Sequence, residues 1–384
     1  MINKISYGKN VYDNREIKAV IKTLKKSTQM GKSVNLFENK IAKLFSKKYG
    51  LMVNSGSSAL TLAFKVLNFP NNSEIITPSL NFGTAVSSIM LANLKSVFVD
   101  CEVETLQIDV NKIEDAITPN TCAIMPVNLL GNSCEYDRII EICRKHNLML
   151  IEDNCESMGA KYGDKYTGSI GLAGSFSFFF SHHIQTMEGG MVLTDSKDDA
   201  DYMRSMRAHG WVRELPDNST LYQKTGNAFN DNFIFATPGY NIRPLEMSGA
   251  IGSVQLKKWN NIMDARLKNK DQFLNLFADK PWVRVQKEIG TSSWFTFGMV
   301  LDGELKGRRA EVIDALTKAG IQNRPLASRN FLHQPVMPNI DHIVLGSTDA
   351  AEDIHNNGFF TGNGGVPIKE EITKMYDIIS GFVK

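Results

Sequence analysis

Cysteine is scarce in this sequence of 384 residues, and no arrangement of its cysteines suggests a stabilising crosslink or a metal cluster. The five cysteines include no Cys-x-x-Cys pair and are Cys101, Cys122, Cys134, Cys143 and Cys155. An odd number of cysteines in a chain whose N-terminus, MINKISYGKN, is too polar for a secretory signal indicates reduced thiols. We therefore expect a cytoplasmic protein with no disulfides, and the cysteine spacing gives no support for a zinc or iron–sulfur site.

A strong charge of either sign is also absent. Lysine and arginine number 43 against 41 aspartates and glutamates, which leaves a formal net charge of +2. This balance gives no indication of a nucleic-acid or membrane partner. No apolar stretch reaches the ~18 residues of a membrane-spanning helix.

The hydrophobic pattern that is present alternates between strand and helix periods. Segments such as EIITPS, SVFVDC, TCAIMPVNLLG and LMLIEDN are typical of buried strands, with amphipathic helices such as EYDRIIEICRKHN between them. GSFSFFF and GGMVLTD predict two further strands. We predict a large α/β domain over residues 1–245 with a mainly parallel sheet, followed by a smaller α+β domain over residues 246–384.

Polar residues follow several of these strands, at 54–58, 79–82, 153–156 and 177–183. The carboxyl ends of parallel strands meet at one edge of the sheet, where α/β proteins bind ligands. We therefore expect these four segments to contribute to a single site.

The segment NSGSSAL (54–60) joins a strand to a helix through Gly56. Its backbone N–H groups and hydroxyls at a helix N-terminus could hold a phosphate, or they could form an ordinary serine-rich helix cap. It is not a G-x-G-x-x-G motif, so dinucleotide binding is weakly supported.

The segment LMLIEDNCESMGA (148–160) places Glu152, Asp153 and Glu156 directly after buried residues. A carboxylate at the end of a buried strand needs a partner. Asp153 could face a cationic ring nitrogen, although a solvated loop or a helix cap is the alternative. We favour the functional interpretation.

Histidines follow the strand GSFSFFF in the segment SFFFSHHIQTMEGGM (177–191). If the strand continued, His182 and His183 would point to opposite sides, so at most one would face the site. A histidine suits acid–base chemistry, but taken alone this pattern favours a satisfied, partly buried structural histidine. For His209 in RAHGWVR, a functional role and a helix terminus are equally open. Asn241 and Arg243 in PGYNIRP could bind an anion or lie in a surface loop.

Taken together and in this order, these segments resemble the DegT/StrS group of nucleotide-sugar aminotransferases, which are pyridoxal-phosphate (PLP) enzymes of fold type I. The resemblance covers nearly the whole chain. In that family a lysine six residues before the glutamate of Glu-Gly-Gly forms a Schiff base with the cofactor. Here the glutamate is Glu188, and His182 stands at the lysine position.

Histidine at this position resembles a subgroup of sugar 3-dehydratases within the family. The resemblance implies a PLP- and glutamate-dependent removal of the C3 oxygen from a nucleotide-linked 4-keto-6-deoxy sugar, with GDP-4-keto-6-deoxymannose as the expected substrate, in dideoxysugar and O-antigen biosynthesis. It also implies that PLP, or its amino form PMP, is held noncovalently, because no lysine is available to form the Schiff base. A related branch carries an iron–sulfur cluster, but this chain lacks its closely spaced cysteines.

The resemblance further implies roles for individual residues. His182 would move protons, Asp153 would pair with the pyridinium nitrogen, and Glu156 would lie beside the ring hydroxyl. Phe82 would stack on the ring, a role that suits its flat apolar face. Phosphate contacts would come from Gly56, Ser57 and Ser177, and from Asn241 of a neighbouring subunit, which implies a homodimer with shared active sites. His209 and Arg243 match family motifs and are candidate substrate residues.

Two other interpretations of the resemblance stay open. One is a nucleotide-sugar 4-aminotransferase that has lost its lysine, and the other is a noncatalytic regulator that binds PLP or a sugar. Fold resemblance alone does not establish function. His182 is the residue that favours the dehydratase.

Overall fold

Helices occur along almost the whole chain in the structure, a computed structural model that describes residues 5–384. Within those residues the α-helices are α1 (Asn14–Leu24), α2 (Lys32–Leu44), α3 (Gly56–Leu67), α4 (Gly83–Leu91), α5 (Tyr136–His146), α6 (Lys197–Met206), α7 (Ala228–Asp231), α8 (Glu246–Gln255), α9 (Trp259–Phe277), α10 (Arg309–Lys318), α11 (Asp349–Asn357) and α12 (Lys369–Ser380). In the described part of the chain, no helix has both the length and the apolar character required to cross a membrane.

In residues 5–384, three sheets are built from the following strands. They are β1 (Tyr49–Val53), β2 (Glu74–Pro78), β3 (Lys95–Val99), β4 (Thr121–Ile124), β5 (Met149–Asp153), β6 (Lys161–Tyr162), β7 (Lys165–Tyr166), β8 (Ala173–Ser177), β9 (Gly190–Thr194), β10 (Val283–Val285), β11 (Thr296–Leu301), β12 (Asn323–Arg324), β13 (His342–Val344) and β14 (Gly358–Gly362). The largest sheet has eight strands in the order β1-β9-β8-β5-β4-β2-β3-β13. All its pairs are parallel except those of β9, which runs antiparallel to both β1 and β8. The predicted mainly parallel sheet is confirmed.

Helices cover both faces of this sheet because its strands are apolar on both sides. Leu51 and Val53 of β1 point into a core shared with α3 and α6, whereas Met52 between them points into a core shared with α2. This alternation follows the two-residue period of a strand. Burial on both faces also explains the nearly continuous apolar runs in the sequence.

The C-terminal part of the chain contains a second, antiparallel sheet in the order β10-β11-β14-β12. Its core includes side chains from α9, α10 and α12, among them Phe273, Val312 and Met375. These elements match the predicted α+β character of this region.

Two elements from beyond residue 245 lie against the large sheet and its helices. Strand β13 extends the sheet by pairing in parallel with β3. Helix α8 packs on α2 so closely that a Cβ on Gly252 would lie 2.6 Å from the ring of Phe37. The carboxylate of Glu246 accepts hydrogen bonds from Gly31 and Ser33 at the start of α2. The division at residue 245 stays a prediction.

Candidate active site

A cavity of about 340 Å³ opens at the carboxyl edge of the large sheet, beside the smaller sheet. It is lined by Tyr7, Ser55, Gly56, Ser57, Leu60, Phe82, Thr84, Val127, Leu129, Asp153, Cys155, Glu156, Ser177, Phe179, His182, Glu188, Phe295, Arg324, Pro325, Ala327 and Phe360. Aromatic walls and a small number of polar groups are typical of small-molecule sites.

The strand ends explain why distant segments meet here. Strands β1, β2, β5 and β8 point in the same direction, so the residues that follow them gather at one edge. Seven residues predicted from the sequence line the cavity: Gly56, Ser57, Phe82, Asp153, Glu156, Ser177 and His182. The four segments therefore form one site.

The turn between β1 and α3 forms a close-fitting cradle. Ser55 caps α3 by accepting a hydrogen bond from the Ser58 N–H at 3.1 Å. A Cβ on Gly56 would lie 2.8 Å from Cβ of Ser177 and 3.0 Å from Sγ of Cys155, so only glycine fits. The N-terminus of α3 and the Ser177 hydroxyl thus converge on the same space, an arrangement suited to a phosphate.

Asp153, the last residue of β5, is a buried carboxylate that faces the cavity. Burial raises its pKa, while hydrogen bonds from the Cys155 N–H and the Ser175 hydroxyl lower it. Among the described residues, no basic side chain forms an ion pair with it. A cationic ring nitrogen would supply the missing partner, so this carboxylate fits a pyridinium ring.

The neighbouring Glu152 has a structural role on the opposite face of β5. Its carboxylate accepts three hydrogen bonds, from the backbone N–H groups of Gly168, Ile170 and Gly171 at 2.6 to 2.7 Å. Adjacent side chains of a strand point to opposite faces of the sheet. Glu152 therefore binds the backbone of the loop 168–171, while Asp153 faces the cavity.

Glu156 lies after β5 in the cavity wall, where its carboxylate accepts a hydrogen bond from the Leu130 N–H at 3.0 Å. Burial raises its pKa to about 7, and the neighbouring Asp153 carboxylate adds to that rise. Glu156 can therefore hold or release a proton near neutral pH.

The raised pKa of Glu156 makes the stability of the protein depend on pH. The folded protein binds this proton more tightly than the unfolded chain, so the free energy of unfolding should fall as the pH rises from about 4.5 to about 7. The contribution is ~3 kcal/mol. In chemical unfolding of the cofactor-free protein across this range, Glu156→Gln should flatten the slope. An unchanged slope would show that Glu156 is not the titrating group.

The structure corrects the prediction that the strand continues through GSFSFFF toward the histidines. Strand β8 ends at Ser177, and the N–H of His182 donates to the carbonyl of Phe179 at 2.9 Å, which closes a turn. The condition for a strand-like alternation of His182 and His183 is therefore not met, although one histidine of the pair, His182, lines the cavity. Ser177 pairs with Gly190, the first residue of β9. Strand β9 therefore offers no partner to the residues that follow Ser177.

The turn places the two histidines in different surroundings. His182 lines the cavity with its ring against Phe295, the centroids 5.0 Å apart. His183 is buried away from it and contacts the Ser293 carbonyl through Nε2 at 3.2 Å. Burial lowers the pKa of His182 to about 3, and the nearby Arg266 charge adds to that decrease, so the imidazole is neutral near neutral pH.

Three predicted residues do not line this cavity. The ring of His209 packs against Trp211, with the guanidinium of Arg243 5.6 Å from the Trp211 ring. Asn241 is exposed, and its side-chain oxygen accepts a hydrogen bond from Arg243 at 3.1 Å. These residues form a separate surface of the same chain.

Several cavity residues were missed by the sequence reasoning: Tyr7, Phe179, Phe295, Arg324 and Phe360. Phe179 stands in a segment already singled out, SFFFSHHIQTMEGGM, so proximity to the motif was an available signal, whereas no quoted motif includes Phe295. Tyr7, Arg324 and Phe360 belong to the N-terminal segment and to the smaller sheet, where no local motif marks them.

Comparison with known proteins agrees with this geometry. The model of the DegT/DnrJ/EryC1/StrS aminotransferase family matches residues 10–362. The chain belongs to this family. Its architecture is accordingly that of fold type I of the PLP-dependent enzymes, as predicted.

Individual family members resemble the chain along almost its full length. The GDP-4-keto-6-deoxy-D-mannose 3-dehydratase of Yersinia pseudotuberculosis is 40% identical, covering 99% of this chain and 98% of that protein. A solved structure of GDP-4-keto-6-deoxymannose-3-dehydratase with a trapped PLP–glutamate geminal diamine is 39% identical, with a TM-score of 0.95 over 97% of this chain and 99% of the other. A variant of that enzyme with bound GDP-perosamine is 38% identical, with a TM-score of 0.95 over 98% of this chain and 100% of the other.

Proposed function

We propose that this chain is a PLP-dependent, glutamate-dependent sugar 3-dehydratase acting on a nucleotide-linked 4-keto-6-deoxy sugar, with GDP-4-keto-6-deoxymannose as substrate. The observation that carries the proposal is His182 in the cavity wall. The similarity to named 3-dehydratases over almost the whole chain supports it. Deoxysugar and lipopolysaccharide biosynthesis is the expected setting, and the cytoplasmic location stays a prediction.

Noncovalent binding of the cofactor is part of this proposal. Within residues 5–384, no lysine side chain lines the cavity, so a Schiff base with the protein has no partner there. PLP, when bound, serves as an electron sink and carries an amino group between glutamate and the sugar. The cavity fits such a group through its phosphate cradle, its unpaired buried carboxylate and its aromatic walls.

Each residue then has a task that follows from its surroundings. Gly56, Ser57 and Ser177 hold the phosphate at the start of α3. Asp153 pairs with the pyridinium nitrogen and keeps it protonated. Phe82 offers its ring, 54% exposed, as a stacking surface.

His182 and Glu156 are the residues that transfer protons in this proposal. The neutral imidazole of His182 accepts a proton and returns it to the C3 hydroxyl of the sugar, which leaves as water. Glu156, with a pKa of about 7, shares a proton with the ring hydroxyl of the cofactor. For each sugar oxygen removed, one L-glutamate becomes 2-oxoglutarate and ammonia, which balances the two electrons that the sugar gains.

A mass-spectrometric assay with PLP, L-glutamate and GDP-4-keto-6-deoxymannose tests the proposal. We expect a product lacking one oxygen atom, with 2-oxoglutarate and ammonia released in equal amounts. A 4-amino sugar would instead identify an aminotransferase and overturn the role of His182. Formation of 2-oxoglutarate with untouched sugar would exclude the GDP-sugar and direct the assay to CDP- and dTDP-linked ketosugars.

We also propose a homodimer with shared active sites. Near Asn241 and Arg243, the ring of Trp211 is flanked by Phe233 and Phe235, which are 72% and 55% exposed in the single chain. Contiguous exposed apolar surface of this kind is typical of an interface. Asn241 lies outside the cavity of its own chain, so it is free to reach the phosphate site of a partner.

Shared sites predict complementation between two inactive variants. His182→Asn and Asn241→Ala should each be inactive alone, but random mixing should restore about a quarter of the wild-type activity, because half the dimers are hybrids with one complete site. The measurement is turnover after unfolding and refolding the two variants together. Absence of recovery, with dimers present by light scattering, would exclude shared sites.

A further inference from the structure

The N-terminal strap, defined as residues 5–12, lies along the turn that carries His182. A Cβ on Gly8 would lie 2.5 Å from Cβ of Ser181, so the backbones meet where only glycine fits. The side chain of Gln185 donates to the Lys9 carbonyl at 3.0 Å, and the N–H of Met187 donates to the Tyr12 hydroxyl at 3.1 Å. The strap therefore contacts the turn on both sides of the histidine.

Tyr7 is the strap residue that reaches the cavity, and it is firmly held. Its N–H donates to the side chain of Gln322 at 2.9 Å. Its ring packs against Phe180 and Phe360, each with centroids 5.9 Å away, and the guanidinium of Arg324 lies 4.8 Å from the ring centroid. These contacts fix the position of the Tyr7 hydroxyl.

Ser181 connects this hydroxyl to the histidine. It is 4% exposed, and its hydroxyl donates to Oη of Tyr7 at 3.1 Å. The same Oγ lies 3.4 Å from Nδ1 of His182. Because a serine has one hydrogen to donate and Tyr7 receives it, Oγ meets Nδ1 as an acceptor. Nδ1 must then carry the imidazole hydrogen, and Nε2 keeps the basic lone pair.

We propose that Tyr7 and Ser181 are positioning residues that hold hydrogen on Nδ1 of His182, so that Nε2 is the nitrogen that exchanges protons in the cavity. This inference rests on the proposed function for the role of His182 in turnover. The same arrangement stabilises the imidazolium, because the Ser181 oxygen remains an acceptor for Nδ1–H after Nε2 takes a proton. Packing against Phe295 limits rotation of the ring, so the hydrogen bonds decide which nitrogen is basic.

The test combines a spectroscopic readout with kinetics on the holoenzyme. In protein labelled with ¹⁵N-histidine, two-bond ¹H–¹⁵N correlation spectra identify the tautomer of His182, with the signal assigned by its loss in His182→Asn. We expect hydrogen on Nδ1 in the wild type and a shift toward hydrogen on Nε2 in Ser181→Ala and Tyr7→Phe. The turnover number should fall about 5-fold in Tyr7→Phe and about 5- to 50-fold in Ser181→Ala, with the KM for the sugar unchanged.

Tyr12→Phe provides the matched control, since it removes a hydroxyl from the same strap without touching His182. It should leave the tautomer and the turnover number as in the wild type. The Tyr7→Phe/Ser181→Ala double variant should match Ser181→Ala alone, because both changes break one series of hydrogen bonds.

Two spectroscopic results would overturn the inference: hydrogen on Nε2 in the wild type, or an unchanged tautomer in both single variants. Equal losses of turnover in Tyr7→Phe and Tyr12→Phe would also overturn it. That result would mean that the strap supports the turn by packing alone and not through the Tyr7 hydroxyl. Failure of the wild type to dehydrate any nucleotide sugar would refute the proposed function, while the tautomer spectra would still decide the positioning role.

Discussion

His182→Asn should abolish sugar dehydration while leaving cofactor binding nearly intact. Asparagine is polar and fits the space of the imidazole, but it cannot accept and return a proton near neutral pH. General acid–base catalysis is typically worth ~100- to 10,000-fold in rate, and the loss should fall in that range. Retention of PLP is expected because the proposed phosphate and ring contacts come from other residues.

The measurement is single-turnover formation of the oxygen-deficient sugar by mass spectrometry, with PLP affinity followed by absorbance. His183→Asn is a matched control one residue away. It removes a buried contact to the Ser293 carbonyl, so it should lower the melting temperature. The turnover number should change little, because His183 does not line the cavity. Retained turnover in His182→Asn would remove His182 from the mechanism.

Asp153→Asn should weaken PLP binding by at least about 100-fold, since removing one partner of a buried ion pair costs about 3–5 kcal/mol. In the cofactor-free protein the same change should be stabilising or neutral. Burial raises the pKa of Asp153, which means that its ionised form is costly in the folded state. Stability is therefore lost as the pH rises through the raised pKa of Asp153, and asparagine removes this loss.

Thermal unfolding with and without PLP, together with a PLP titration, separates the two effects. Glu152→Gln is the control, because Glu152 is the adjacent carboxylate and accepts three backbone N–H groups outside the cavity. It should destabilise the protein with or without PLP and change PLP affinity little. Equal PLP affinity in Asp153→Asn and the wild type would refute the pairing of Asp153 with the ring nitrogen.

A large part of the site could be predicted because its residues follow strands that the hydrophobic pattern reveals. Asp153 ends an apolar segment, and parallel strands bring such ends to one edge. Gly56 was recognisable from its place between a strand and a helix. The tasks proposed for these residues came from resemblance to the family, since composition and spacing cannot identify a cofactor.

The sequence by itself determined the alternation of strands and helices, the shared edge where the polar segments meet, and the presence of histidine six residues before Glu188. The local pattern left open which of two adjacent histidines faces the cavity, and the tertiary structure places His182 there, as the resemblance to the family implied. Strand β8 ends opposite Gly190, the first residue of β9, and that limit depends on pairing between segments rather than on local pattern. The tertiary structure likewise brought Tyr7 to Ser181, a contact across 174 positions that no local periodicity encodes.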